Sequence, residues 1–347
     1  MDIPAGAVIH SDKITNEPIA MSANAKGAVL ALIAFGLFST HDVFIKTLGA
    51  TYSPIQIVFF SVLLSFPLAT IMLMRDAKPG TLVPVHPWWM AVRTIGAVVT
   101  GVSAFYAFSN LPLTQTYAIL FATPLLITVL SIPILGERVR LPRWLAVIVG
   151  LLGVMVVLRP GTTDLTFGHV AAIVAAFSGA FASIVVRKIG AEERTVVLLL
   201  YPMVGNFLVM GVALFFVYEP MPGEHLAMLA IISVMAWIAG RFIIAAYQTG
   251  EAAIVAPMQY SQILWATAYG LIFFDEAPDI YTGIGAAIII ASGLFIVFRE
   301  STPGNSENTP VLRTRSRIGT PGTFRVSSLM TSGRFRDKTL AKDRTPE

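Results

Sequence analysis

The sequence predicts an all-α integral membrane protein with ten transmembrane helices, built as two inverted five-helix repeats. Three observations lead there. Of 347 residues, 55% are hydrophobic and only 13% charged, with mean hydropathy +0.74, whereas soluble domains are about one quarter charged. An apolar region runs from Gly27 to Phe298 with brief polar interruptions; at roughly 20 residues per crossing of a bilayer core of about 30 Å it holds about ten spans. Finally, LGERVRLPRWLAVIVGLLGVMVVLRPG from residue 135 resembles FDEAPDIYTGIGAAIIIASGLFIVFRE from residue 274. Two copies of five spans each, an odd number, must insert in opposite senses.

Residues 1–26 mix acids, lysines and prolines and lack the basic start and compact apolar stretch of a signal peptide, so they read as a cytoplasmic amino-terminal segment. Prolines, glycines and charged clusters then cut the chain into spans at 27–47, 55–74, 88–109, 113–135, 142–159, 168–187, 196–218, 226–247, 253–274 and 280–298. Residues 27–159 form the expected first repeat and 160–299 the second. Lys and Arg concentrate in alternate connections, among them Arg75, Arg138, Arg140, Arg143, Arg187, Lys188 and Arg194, while SNLPL (109–113) and YEPMPGEHL (218–226) carry none. Positive charge stays in the cytoplasm, which places both termini inside. Beyond Arg299, residues 300–347 are rich in Ser, Thr, Pro and Gly and carry nine basic residues. They read as a disordered tail whose Phe-Arg pairs could contact anionic lipid.

Several function classes are excluded by what the sequence lacks. Without cysteine there is no disulfide, thiol catalysis or thiolate metal site. There is no GxxxxGK[ST], HExxH, GxSxG or strand-following GxGxxG. No enzyme activity, metal, cofactor or nucleic-acid partner is expected; the expected partners are a small-molecule substrate and the lipid bilayer.

The informative residues are polar or aromatic side chains inside spans, which lipid cannot satisfy and which therefore face a cavity or the bundle interior. In APMQYSQILWATAYG, Gln259, Gln262, Trp265 and Tyr269 recur at helical steps and share one face. Amides beside an indole and a phenol suit a planar, polar-edged solute. The same residues would equally serve as glue between helices. Pro257 just upstream removes a backbone hydrogen bond and can kink the span. Thr114, Gln115, Tyr117 and Pro124 offer a facing surface, with Ser103 and Tyr106 on the third span and Tyr247 and Gln248 closing the eighth. Arg93 and Arg241 fall within spans; each is expected to snorkel, pair or face a cavity, and Arg241 is the candidate for substrate contact.

FSTHDVFIKTL, residues 38–48, ends a lipid-grade helix with His41, Asp42 and Lys46. At 1.5 Å per residue from Gly27, His41 lies about 21 Å and Lys46 about 28 Å along the span. Asp42 and Lys46 have the acid-then-base spacing of an ion pair on one helical face. Asp42 could instead line a vestibule and titrate during transport. Glu137 and Glu276 end matching spans on opposite sides and are candidates either for capping or for gating and coupling.

DVFIKTLGATYSPIQIVFF, then WMAVRTIGAVVTGVSAFYAFSNLPLTQTYAILFATPLLITVLSIPILGERV, GLLGVMVVLRPG and EAAIVAPMQYSQILWATAYGLIFFDEAPD resemble the drug/metabolite transporter superfamily in its ten-helix branch of two EamA-type repeats, over about residues 27–299. The resemblance implies ten helices, both termini cytoplasmic and a central cavity between the two repeats; the leading expectation is a secondary carrier of a small organic metabolite across the bacterial inner membrane, its repeats rocking around a midplane site in alternating access. DVFIKTLG with APMQYSQILWA looks most like the riboflavin and S-adenosylmethionine uptake branch, with amino-acid or drug export as the alternative direction. Where related sequences often have an Arg in the second span this chain has Ser61, so a role tied to that Arg does not carry over. From another class, a receptor or scaffold acting through the basic tail would also fit the composition.

Overall fold

The computed structural model describes residues 23–75, 81–136, 139, 141–161, 164–190, 192–250 and 252–301; the expected tail and Glu137 lie outside them. The described residues form helices α1 (Ala23–Gly49), α2 (Pro54–Arg75), α3 (Pro87–Asn110), α4 (Leu113–Leu120), α5 (Thr123–Leu135), α6 (Leu141–Leu158), α7 (Phe167–Ile189), α8 (Thr195–Val217), α9 (Gly223–Thr249), α10 (Ala252–Val255), α11 (Gln262–Phe273) and α12 (Ile280–Ser301). Nine stretches among them are long and apolar enough to span a membrane, with α4 and α5 counting as one. The tenth span is α10, a 3-10 turn over Ala256–Ser261 and α11 in succession.

Spans 4 and 9 are both broken, and proline chemistry accounts for each break. Pro257 opens the 3-10 segment, as its missing N–H leads one to expect. In span 4 the helix stops at Leu120 and restarts at Thr123, one residue before Pro124. The Leu120 carbonyl, which Pro124 cannot serve, accepts the Thr123 hydroxyl at 2.8 Å.

Packing follows the two-repeat plan. Exchanging the first five spans for the last five turns α1–α9 packing into α7–α3, and α2–α9 into α8–α3, while α2–α8 and α6–α12 map onto themselves; all of these pairs pack. The α6–α12 seam is close because it is built on glycine: a Cβ on Gly285 would lie 2.7 Å from the Gly153 carbonyl. Exposed Leu, Val, Ile and Phe side chains on α6, α8 and α12 form the apolar exterior that a bilayer requires.

Successive spans alternate in direction, which defines two faces. One, the Lys46 face, carries the ends of α1 and α3 and the connections after α6, α8 and α11. The other, the Gly27 face, carries the start of α1 and the remaining connections.

Candidate functional site

Asp42 is 1% exposed and His41 is fully buried. His41 Nδ1 lies 2.8 Å from Asp42 Oδ1, and the Tyr117 hydroxyl donates to Asp42 Oδ2. Gln262 Nε2 in turn donates to the Tyr117 oxygen at 3.2 Å, with Ser39 Oγ 3.5 Å away. Phe105 of α3 sets its ring edge-on to His41, 6.4 Å between centroids. A buried carboxylate is tolerable only with donors and a compensating charge; here α1, α4 and α11 supply them jointly.

Beside this cluster, Tyr269 shares a 2.9 Å hydrogen bond with Thr40. Trp265 stacks on Tyr269 at 5.9 Å and remains 40% exposed. Thr114 and Thr267 meet at 3.3 Å across the two broken spans. Four predicted residues, Asp42, Tyr117, Gln262 and Tyr269, are therefore brought to one region, with Trp265 at its edge.

The others scatter. Gln115 meets His169 Nε2 at 3.0 Å nearer the Lys46 face. Gln259 and Tyr106 are half-buried, on the 3-10 turn and α3. Tyr247 packs into an apolar seam with Phe35 and Phe38 between α1 and α9. Arg241 is exposed and lies over the Trp237 ring at 5.1 Å. Arg93, in contrast, is 6% exposed. The side chain of Gln248 lies outside the described residues.

Lys46 is expected from its spacing to serve Asp42, but its ion pair is with Glu276 at 2.8 Å. The α11–α12 connection comes over the end of α1, and Lys46 also donates to the Leu111 carbonyl at 2.6 Å. Glu276 Oε2 accepts the Leu113 N–H at 3.2 Å, at the first turn of α4. The carboxylate so caps a helix from the other half of the chain, and the latch joins both repeats one turn above Asp42.

Toward the Gly27 face, Ser65, Thr70, Leu73, Val196, Met203, Ser233 and Trp237 line a cleft of about 700 Å³, its open mouth included, between α2, α8 and α9. Nothing in the sequence marks Ser65, Thr70 and Ser233 as cleft residues, because isolated hydroxyls in spans usually bond their own helix, as Ser65 does to Ser61.

A ten-span bundle with discontinuous helices meeting at a buried polar cluster defines a membrane transporter, and the sequence comparisons name the family. The chain matches the EamA-like transporter family over residues 25–159 and 166–298, and it belongs to that family. It is 27% identical over 278 residues to an S-adenosylmethionine uptake transporter of Rickettsia prowazekii, covering 80% of this chain and 94% of that one. A riboflavin transporter of Rhizobium johnstonii is 26% identical over 299 residues, covering 84% and 96%. A pseudopaline exporter of Pseudomonas aeruginosa is 27% identical over 274 residues, covering 77% and 94%. One solved crystal structure superposes with TM-score 0.51 at 18% identity, covering 80% of this chain and 99% of that one, a likeness of fold alone. The protein is a multi-pass membrane transporter for a small molecule and not an enzyme.

Proposed function

We propose that this chain is a secondary carrier moving a small organic metabolite with a polar-edged heterocycle, such as riboflavin, across the bacterial inner membrane by alternating access. Both termini are cytoplasmic in this reading, by the distribution of Lys and Arg, so the Lys46 face is external. The observation that carries it is an asymmetry between repeat-related contacts. α1 packs on α3 at the Lys46 face, whereas among the described residues the counterpart pair, α7 and α9, makes no comparable contact. Two inverted repeats that are equivalent in sequence pattern yet unequal in packing describe a molecule closed on one side and open on the other. The cleft between α2, α8 and α9 would then be the cytoplasmic entrance, with Trp237 and Arg241 near its mouth.

In this reading the substrate lies against Trp265, Tyr269 and Gln262, where a partly exposed indole stands beside the polar cluster, with Gln259 one turn earlier on the same span. The uptake direction is supported by two relatives named for S-adenosylmethionine and riboflavin; export is the second reading, favoured by the pseudopaline relative.

The test is uptake of riboflavin, S-adenosylmethionine and a panel of amino acids into proteoliposomes of defined orientation. Trp265→Ala and Gln262→Ala at equal incorporation should each lower the rate about tenfold or more, the loss of one to two hydrogen bonds or a stacking contact. Unchanged kinetics in both variants would make this face packing only. Net flux solely toward the external side would select export.

A further inference from the structure

We propose that the His41–Asp42 pair is the proton-binding site that couples transport, resting on the carrier reading above. Three observations converge on it. The pair sits entirely out of solvent, so its protonation cannot follow the aqueous phase until a face opens. Its hydrogen bonds run through Tyr117 to Gln262, that is, from α1 to both discontinuous spans, one in each repeat. It lies one turn below the Lys46–Glu276 latch, so releasing the latch exposes it first.

Groups face the pair from several of the helices packed on α1. Tyr117 comes from α4, the Gln262 amide from α11 and the Phe105 ring from α3. Farther out, Lys46 is held by Glu276, Tyr269 by Thr40, Tyr260 packs on Phe121, and α9 contributes Tyr247 to the seam with α1. With His41 neutral and Asp42 ionised the pair carries one net negative charge, and since an uncompensated charge in the interior costs several kcal/mol, the sealed state favours taking up one proton. One proton entering from the external phase adds to Asp42 Oδ2. The Tyr117 O–H then loses its anionic acceptor, and the bridge from Tyr117 to Gln262 loosens, freeing α4 from α11. When the opposite face opens, the same O–H bond breaks, the proton leaves to that side and Tyr117 returns.

The chain has no cysteine, so a single Ser65→Cys substitution reports cleft exposure in the full-length protein without any substrate. In proteoliposomes, labelling of that thiol, corrected for thiolate fraction with a free-thiol standard, should change several-fold between about pH 5 and 8. Adding Asp42→Asn should flatten the profile, and adding Tyr117→Phe should weaken it. A profile in Asp42→Asn equal to its parent, or a parent that does not respond to pH, overturns the proposal. Should Asp42→Asn fail to fold, Tyr117→Phe decides, an unchanged profile being the contrary result. In parallel, Asp42→Asn should lose riboflavin accumulation driven by a proton gradient while retaining riboflavin exchange at equal pH. Loss of exchange together with a pH-flat parent would make Asp42 a contact for the solute and overturn the proton assignment. A parent that moves no panel compound would count against the carrier reading, while the labelling arm still decides the proton site.

Discussion

The two faces of the molecule are built from the same parts and closed to different degrees. Among the described residues, each has a tie between matching connections. At the Lys46 face Gln56 exchanges two hydrogen bonds with the Glu219 backbone, at 2.7 and 2.9 Å, and Tyr52 bonds His225 at 2.7 Å. At the Gly27 face the His86 N–H donates to Glu193 and Arg194 donates to the Thr81 carbonyl, at 2.6 and 3.1 Å. The difference lies inward of these ties. Toward the Lys46 face, Phe59 stacks on Phe207 at 5.1 Å, filling the space between α2 and α8, and Phe66 meets the same ring edge-on at 5.4 Å where the cleft begins. Beyond Phe66, α2, α8 and α9 leave the cleft lined by Ser65, Thr70 and Ser233. The shared ties therefore belong to the frame, and the α1–α3 seam, whose counterpart between α7 and α9 is far slighter among the described residues, belongs to the gate, with the latch beside it.

If that division is correct, crowding the seam should have the largest effect. A Cβ at Gly49 would lie 1.9 Å from Ser109 Oγ and 3.1 Å from the Ser109 Cα, so rotating the serine is not enough and the helices must part. Gly49→Val should cost about 1–3 kcal/mol in the closed form and reduce turnover about tenfold or more, read as uptake at equal incorporation. Normal turnover would show that α1 and α3 need not close.

The smallest effect is expected where both faces of the comparison are indifferent. Asp279 joins Arg159 across the ends of α6 and α12, the self-related seam. Partial burial opposes its charge, but the Thr282 N–H and Arg159 outweigh that and hold its carboxyl below the usual carboxylate range. With the folded value lowered, its contribution is present above the unfolded value of 3.8 and fades as pH falls through the lower one. Because the aspartate is 43% exposed, Asp279→Asn should lower the melting temperature only slightly at neutral pH, with the difference vanishing in acid. A large loss of transport in this variant would move the gate to the α6–α12 seam.

Much of the fold was legible because bilayer thickness and proline chemistry act locally. Ten apolar stretches and the break at Pro257 follow from spacing and a missing N–H. The break before Pro124 was hidden inside an unbroken apolar run, where hydropathy carries no record of register. The polar cluster was half legible. Asp42, Tyr117 and Gln262 stand out in lipid-grade helices, yet their partnership joins residues 75 and 145 positions apart. Lys46 shows the limit most plainly. Helical spacing offered Asp42, whereas Glu276, 230 positions away, is delivered only by the folded connection after α11. The cleft left no trace, since it arises from helices failing to meet.

The central claim is that closing one face opens the other, and paired reporters in the cysteine-free chain test it directly. Thr267→Cys lies between the broken spans toward the Lys46 face and Ser65→Cys lies in the cleft. Removing the latch with Lys46→Ala forfeits a charge-assisted contact of about 1.5–3 kcal/mol, enough to shift a two-state population about tenfold or more. Labelling at residue 267 should rise by that order while labelling at residue 65 falls. Both rising together, or residue 65 remaining unchanged as residue 267 opens, would contradict alternation and leave the latch as a local clasp.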